Sequence, residues 1–165
     1  MTEKDTKVIS ALEAEIKKIT NKENNLYFYV YDTKGTPSES LYYIYDLALQ
    51  CHDLGYKVKM LYGDKEFVGV EKWLGKDYSD LPHANIEKDA VPLSVSDVLF
   101  IPEINANVMA AVKNKKEVLC KKVAILTSMR YLSDIMRPIG TTWENLEISE
   151  CIAMTEALAE SIKSV

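Results

Sequence analysis

Leu26-Tyr27-Phe28-Tyr29-Val30-Tyr31 is an unbroken run of apolar and aromatic residues of strand length. A strand with one wet face alternates in polarity, whereas one that reads apolar throughout belongs in the middle of a sheet covered on both sides. Parallel strands are buried in this way, and each needs a crossover, usually a helix, before the next can pair beside it. The residues that follow supply that crossover. Asp32-Thr33-Lys34-Gly35-Thr36-Pro37-Ser38 is rich in turn formers. Ser38 suits an N-cap and Glu39 a first helical turn. Leu41, Ile44, Tyr45, Leu47, Ala48, Leu49 and Cys51 carry a helix to Leu54, and Gly55 falls where left-handed C′ geometry is easiest. Lys57-Val58-Lys59-Met60-Leu61-Tyr62 is the returning strand, and the whole unit predicts a right-handed crossover.

The alternation continues downstream. Asp97–Pro102 and Lys122–Leu126 read as buried strands, Asn105–Val118 as a helix between them, Ser149–Met154 as a last strand and Glu156–Val165 as a last helix. Residues 63–93 are less regular: Phe67, Val68, Val70, Trp73 and Leu74 suggest a short helix or hairpin, and Ile86 a short edge strand. Residues 127–147 form a long loop. Ahead of the first strand, Val8, Ile9, Leu12, Ile16 and Ile19 recur at helical spacing and end at the polar stretch Asn21–Asn25. The expected fold is α/β: an open, mainly parallel sheet with helices on both faces, plus an N-terminal amphipathic helix. Residues 1–25 are the helix and its linker, and residues 26–165 the α/β unit. The helix has two readings, packing on the sheet's helix layer or docking to a protein partner.

Composition narrows the function classes. A chain of 165 residues can bury a core of its own. The net charge of −5 is spread without a basic block, which argues against nucleic acid as partner. No apolar run approaches the roughly 18 residues of a membrane span. The N-terminus is polar and leads into no signal sequence, so the expected setting is cytoplasmic, or an intracellularly assembled particle. Cys51, Cys120 and Cys151 have no paired spacing and read as structural thiols.

No glycine-rich dinucleotide fingerprint or P-loop is present. His52 and His83 have no metal-ligand spacing, and Asp77-Tyr78-Ser79-Asp80 reads as a solvated loop, so no metal site is expected. A phosphate near Ser38 competes with a plain capped turn, which is the better reading. In open α/β sheets ligands bind beyond the carboxyl ends of the strands. Here that edge presents Asp32, Thr33, Lys34, Gly35 and Ser38, then Gly63 and Asp64, then Glu103 and Asn105, and finally Thr127, Ser128 and Arg130. These groups suit hydrogen bonding to a sugar or phosphate, and equally an ordinary polar rim; none is singled out as catalytic. Tyr27, Tyr29 and Tyr31 share one side of their strand, expected to lie under the N-terminal helix. Their cluster with Tyr42, Tyr43 and Tyr45 reads as packing, or as an aromatic carbohydrate- or protein-binding patch.

Four segments in this order resemble the N-terminal, acceptor-side domain of GT-B fold glycosyltransferases, closest to the large retaining family-4-like class. They are the strand, loop and helix of Tyr29–Gly55, the helix end and strand Leu47-Ala48-Leu49…Leu54-Gly55-Tyr56-Lys57-Val58, the strand Asp97–Pro102, and Cys151-Ile152-Ala153-Met154-Thr155-Glu156-Ala157-Leu158. The resemblance covers residues 26–165 and implies a Rossmann-like sheet and an acceptor-binding half. It also implies a nucleotide-sugar donor site in a second domain, which these residues do not include. The chain departs from the family in its first loop, which has the single glycine Gly35, and after Leu126, where Thr127-Ser128-Met129-Arg130-Tyr131 has no histidine. The resemblance thus implies an acceptor half without a cofactor of its own, a nucleotide sugar entering only with a donor domain. The alternative is a non-catalytic structural or interaction protein that keeps the fold within a larger assembly, such as a viral particle.

Overall fold

The computed structural model describes residues 13–113, 115–128, 140–155 and 159–160. Six parallel strands form one sheet: β1 (Asn25–Tyr29), β2 (Lys57–Tyr62), β3 (His83–Asn85), β4 (Val98–Pro102), β5 (Lys121–Leu126) and β6 (Glu150–Ala153). Their spatial order is β3-β2-β1-β4-β5-β6. The sheet grows outward in both directions from the β1–β4 pair, so right-handed crossovers of the β1-β2-β3 half and of the β4-β5-β6 half fall on opposite faces.

One face carries α1, helical over 13–19, and α2 (Glu39–Asp53), with the short helices α3 (Glu71–Leu74) and α4 (Lys76–Ser79) beyond β2. Leu26, Phe28 and Val30 of the first strand segment point to this face and pack with Ile16, Leu41, Ile44 and Tyr45. The other face carries α5 (Ala106–Val112) and the segment around Leu146 and Ile148, which pack on Tyr27, Leu99, Ile101 and Ala124. At the centre Phe28 and Phe100, paired across β1 and β4, stack with centroids 4.5 Å apart. The α/β architecture, the parallel sheet and helices on both faces are as the sequence predicts.

Local chemistry accounts for the element ends. Ser38 Oγ accepts the Leu41 amide at the start of α2, as an N-cap should. At its end the Tyr56 amide bonds the Cys51 carbonyl and the Gly55 amide that of His52, the paired bonds of a Schellman motif. Gly55 sits at φ 87°, which glycine adopts without strain.

Four local expectations are corrected. The tyrosine side of β1 does not lie under the N-terminal helix: Tyr27 and Tyr29 face the α5 side, where Tyr27 donates to the Pro92 carbonyl, while Ile16 is on the opposite face. Tyr31 reaches the α1/α2 face because β1 ends at Tyr29 and the chain turns. The edge strand beyond β2 is His83–Asn85, and Ile86 follows it, exposed. The helix after β4 starts as a 3-10 turn over Glu103–Asn105 and ends at Val112, because the lysine-rich stretch that follows offers no apolar face.

Candidate ligand-binding edge

The point where strand order reverses lies between β1 and β4. The chain leaves β1 toward one face of the sheet and leaves β4 toward the other, and beyond the carboxyl ends at such a point is where open α/β sheets generally bind ligands. The predicted residues fall on the loops around it, but most of their polar atoms are engaged within the protein.

Asp32 is a clasp. Its carboxylate, almost wholly enclosed, accepts the Lys34 and Val68 amides at 2.9 Å each and pairs with Lys34 Nζ at 2.9 Å. Lys34 Nζ also donates to the Glu66 carbonyl at 2.8 Å, and Asp64 accepts the Asp32 amide. Burial alone would raise the Asp32 pKa, but the Lys34 and Val68 bonds outweigh it and hold the carboxyl below its ordinary value. The clasp joins the loop after β1 to residues 64–68, and it accommodates Lys34 at φ 55° and Gly35 at φ 81°. Ser38 is committed to capping α2.

Glu103 does the same for the loops after β4 and β5. Only 1% exposed, it uses Oε1 to accept the Thr127 amide at 2.8 Å, the Thr127 hydroxyl at 2.9 Å and the Ser128 amide at 2.6 Å. It thereby ties the end of β4 to the end of β5. Burial pushes its carboxyl above the ordinary value despite these bonds. Its second oxygen, Oε2, has no hydrogen-bond partner.

Among the described residues six buried polar side-chain atoms lack a partner, and three lie on this edge: Thr33 Oγ1, Glu103 Oε2 and Asn105 Oδ1. Leaving a buried polar atom unpaired costs about 1–3 kcal/mol, and three such atoms fall on the loops at this one edge of the sheet. Gly63 and Asp64 sit beyond β2, where Asp64 serves the clasp and its carbonyl accepts Asn85 Nδ2. Arg130 lies outside the described residues.

Other candidates are structural. His83 Nδ1 donates to the Leu81 carbonyl at 2.6 Å, which leaves Nε2 to accept the Tyr45 hydroxyl at 2.8 Å. Burial lowers the His83 pKa and favours this neutral form. Burial pushes the Cys51 and Cys151 thiols up to about 12, far from a reactive thiolate. Sequence reasoning missed Asp97, whose buried carboxylate accepts the Asn25 amide and side chain and the Ser94 amide, fixing the amino ends of β1 and β4. Its position directly before an apolar strand was the available signal. No helix is long and apolar enough to cross a membrane, and no cluster of three metal-ligating side chains occurs, among the described residues.

An open, all-parallel sheet in the order 3-2-1-4-5-6, with polar groups collected where the order reverses, places the chain among doubly wound Rossmann-like α/β proteins. No family model, curated protein or solved structure matches it.

Proposed function

We propose that this chain is the acceptor-binding half of a glycosyltransferase of GT-B type, working with a nucleotide-sugar-binding domain supplied by a further segment or a second chain. The observation that carries the reading is the reversal of strand order at β1 and β4, with the buried, half-satisfied carboxyl of Glu103 directly after β4. A carboxylate with an uncommitted oxygen suits the hydroxyl groups of a glycosyl acceptor. The resemblance of four ordered segments to the acceptor-side domain supports the same reading. Donor chemistry belongs to the partner domain, so the chain alone transfers nothing: half a cleft neither closes on a donor nor excludes water.

Thermal denaturation against a panel of oligosaccharides and nucleotide sugars tests this. Acceptor sugars are expected to raise the melting temperature by mass action on the folded state, and nucleotide sugars to leave it unchanged. Stabilisation by a nucleotide sugar alone, or by no sugar at all, defeats the proposal.

A second reading, a non-catalytic interaction module in a larger assembly, draws support from the Asp32 clasp. The charged groups of the first loop, Asp32 and Lys34, are spent on internal bonds. That reading requires a thermal profile flat to every sugar and recovery of the native protein in a large particle.

A further inference from the structure

Tyr43, Asp46, Leu47 and Gln50 of α2 recur at i, i+3, i+4 and i+7 and so share one face of the helix. All four line an open cavity of about 910 Å³, within the roughly 300–1,000 Å³ of small-molecule sites. The run Ile148–Met154, which contains β6, lines it as well. Successive strand residues point to opposite faces, and here Ile152 and Met154 pack toward the α1/α2 face while Cys151 packs toward the α5 face. A cavity that meets seven consecutive residues therefore follows the free edge of β6, the last strand of the sheet.

Leu47, Ile148, Ile152 and Met154 give the cavity an apolar lining, and its charges are of one sign. Glu15, Asp46 and Glu150 line it, and no lysine or arginine among the described residues does. Glu15 and Glu150 have cations beside them, Lys18 at 2.6 Å and Lys121 at 3.7 Å. Asp46 has none among the described residues. Its half-buried carboxylate accepts neutral donors, Gln50 Nε2 at 2.6 Å and the Tyr78 hydroxyl at 3.4 Å.

We infer that this cavity binds a small organic cation, an apolar body carrying one ammonium group, with Asp46 as its counter-ion. An apolar occupant displaces water from Asp46, and a carboxylate stripped of water is costly unless a charge and hydrogen-bond donors replace it. An ammonium group supplies both. A neutral alcohol supplies one hydrogen bond and leaves the charge unmatched, and an anion meets three carboxylates of its own sign. Tyr43, one turn earlier on the same face, adds an aromatic neighbour of the kind that attracts cations. The site is independent of the acceptor-binding reading, which concerns the loops after β1 and β4.

The test is titration of the full chain with phenylbutylammonium, phenylbutanol and phenylbutanoate, which share a body and differ in the head. Binding is followed by calorimetry and by the nuclear magnetic resonance shifts of the Asp46 carboxyl carbon and of Trp143, which also lines the cavity. The cation is expected to bind about tenfold or more tightly than the alcohol, the worth of one charge-assisted hydrogen bond, and the carboxylate most weakly. Asp46→Asn keeps the shape and an acceptor for Gln50, and should abolish that preference while leaving the alcohol's affinity as it was. Gln50→Lys sets an ammonium of the chain's own one turn after Asp46, a pairing that favours the helix. It should exclude the cation, spare the alcohol, and serve if Asp46→Asn fails to fold. Equal affinity for the three heads, a cation preference that survives both substitutions, shifts elsewhere with Asp46 silent, or no binding of the cation overturns the inference. A tetrapeptide of two leucines between two lysines that binds where phenylbutylammonium does not overturns it in favour of a protein partner. Affinity that falls as protein concentration rises does so in favour of a second copy of the chain on the β6 edge.

Discussion

Glu103 and Asp32 are carboxylates on the same sheet edge with opposite pKa displacements, and the difference lies in how many of their oxygens are served. Asp32 has bonds on both oxygens and an ammonium beside it. Desolvation is therefore overcome, and its folded pKa lies below the unfolded one. Its contribution to stability is present above the unfolded carboxyl range and lost as pH falls through the folded value. Glu103 crowds three donors onto one oxygen and leaves the other bare, so burial prevails and its pKa is raised. The sign reverses: Glu103 helps most below its unfolded pKa, and that help drains away as pH rises through the folded value. Glu103→Gln cannot ionise and escapes the loss. Urea midpoints of both proteins between about pH 4 and pH 8 should show the variant gaining on the parent as pH rises, by about 1.4 kcal/mol for each tenfold change in the Glu103 acidity constant on folding. A difference that is constant across the series contradicts the assignment of the raised value to Glu103.

At the scale of elements, legibility in the sequence followed the length and purity of the apolar run. β1, β4 and β5 each present at least four consecutive apolar residues, and β2, whose Lys57 and Lys59 alternate with Val58, still closes on the run Met60-Leu61-Tyr62. β3 carries only His83, Ala84 and Asn85, and two of those are polar. Its place is fixed by pairing with β2 and by the Tyr45–His83 bond, 38 residues apart in the chain, which no local pattern contains. The candidate edge was legible as a location because the topological rule needs only strand directions. Its wiring was not, since the Asp32–Val68 and Glu103–Thr127 bonds span 36 and 24 residues. The N-cap of α2 is the opposite case, local and readable. Ser38→Ala removes the acceptor for the Leu41 amide and should cost about 1 kcal/mol by urea denaturation. Ser38→Asp should restore most of it. A silent Ser38→Ala means that the Leu41 amide finds another acceptor.

For the whole molecule the open question is what α1 belongs to. The sequence allows it to be a layer of the fold or a docking helix, because an amphipathic stripe is the same in both. Ile16 of α1 is fully buried, in one cluster with Leu26 and Phe28 at the centre of the sheet and Leu41, Ile44 and Tyr45 of α2, and Ile19 packs against that cluster. A side chain so placed acts on the stability of the entire chain, since it packs with the centre of the sheet and with α2. Truncating it leaves a cavity as well as losing buried area, and Ile16→Ala should cost about 2–5 kcal/mol, a large share of the roughly 5–15 kcal/mol that holds a domain together. The exposed Lys17→Ala, whose partner is Glu13 one turn earlier, should cost no more than about 0.5 kcal/mol. Equilibrium unfolding of the two variants, monitored by tryptophan fluorescence and by far-ultraviolet circular dichroism, separates the readings. Coincident transitions shifted strongly in Ile16→Ala make α1 part of the fold's cooperative unit. A change of less than about 0.5 kcal/mol in Ile16→Ala would mean that the helix leaves the sheet without cost and is free to serve a partner.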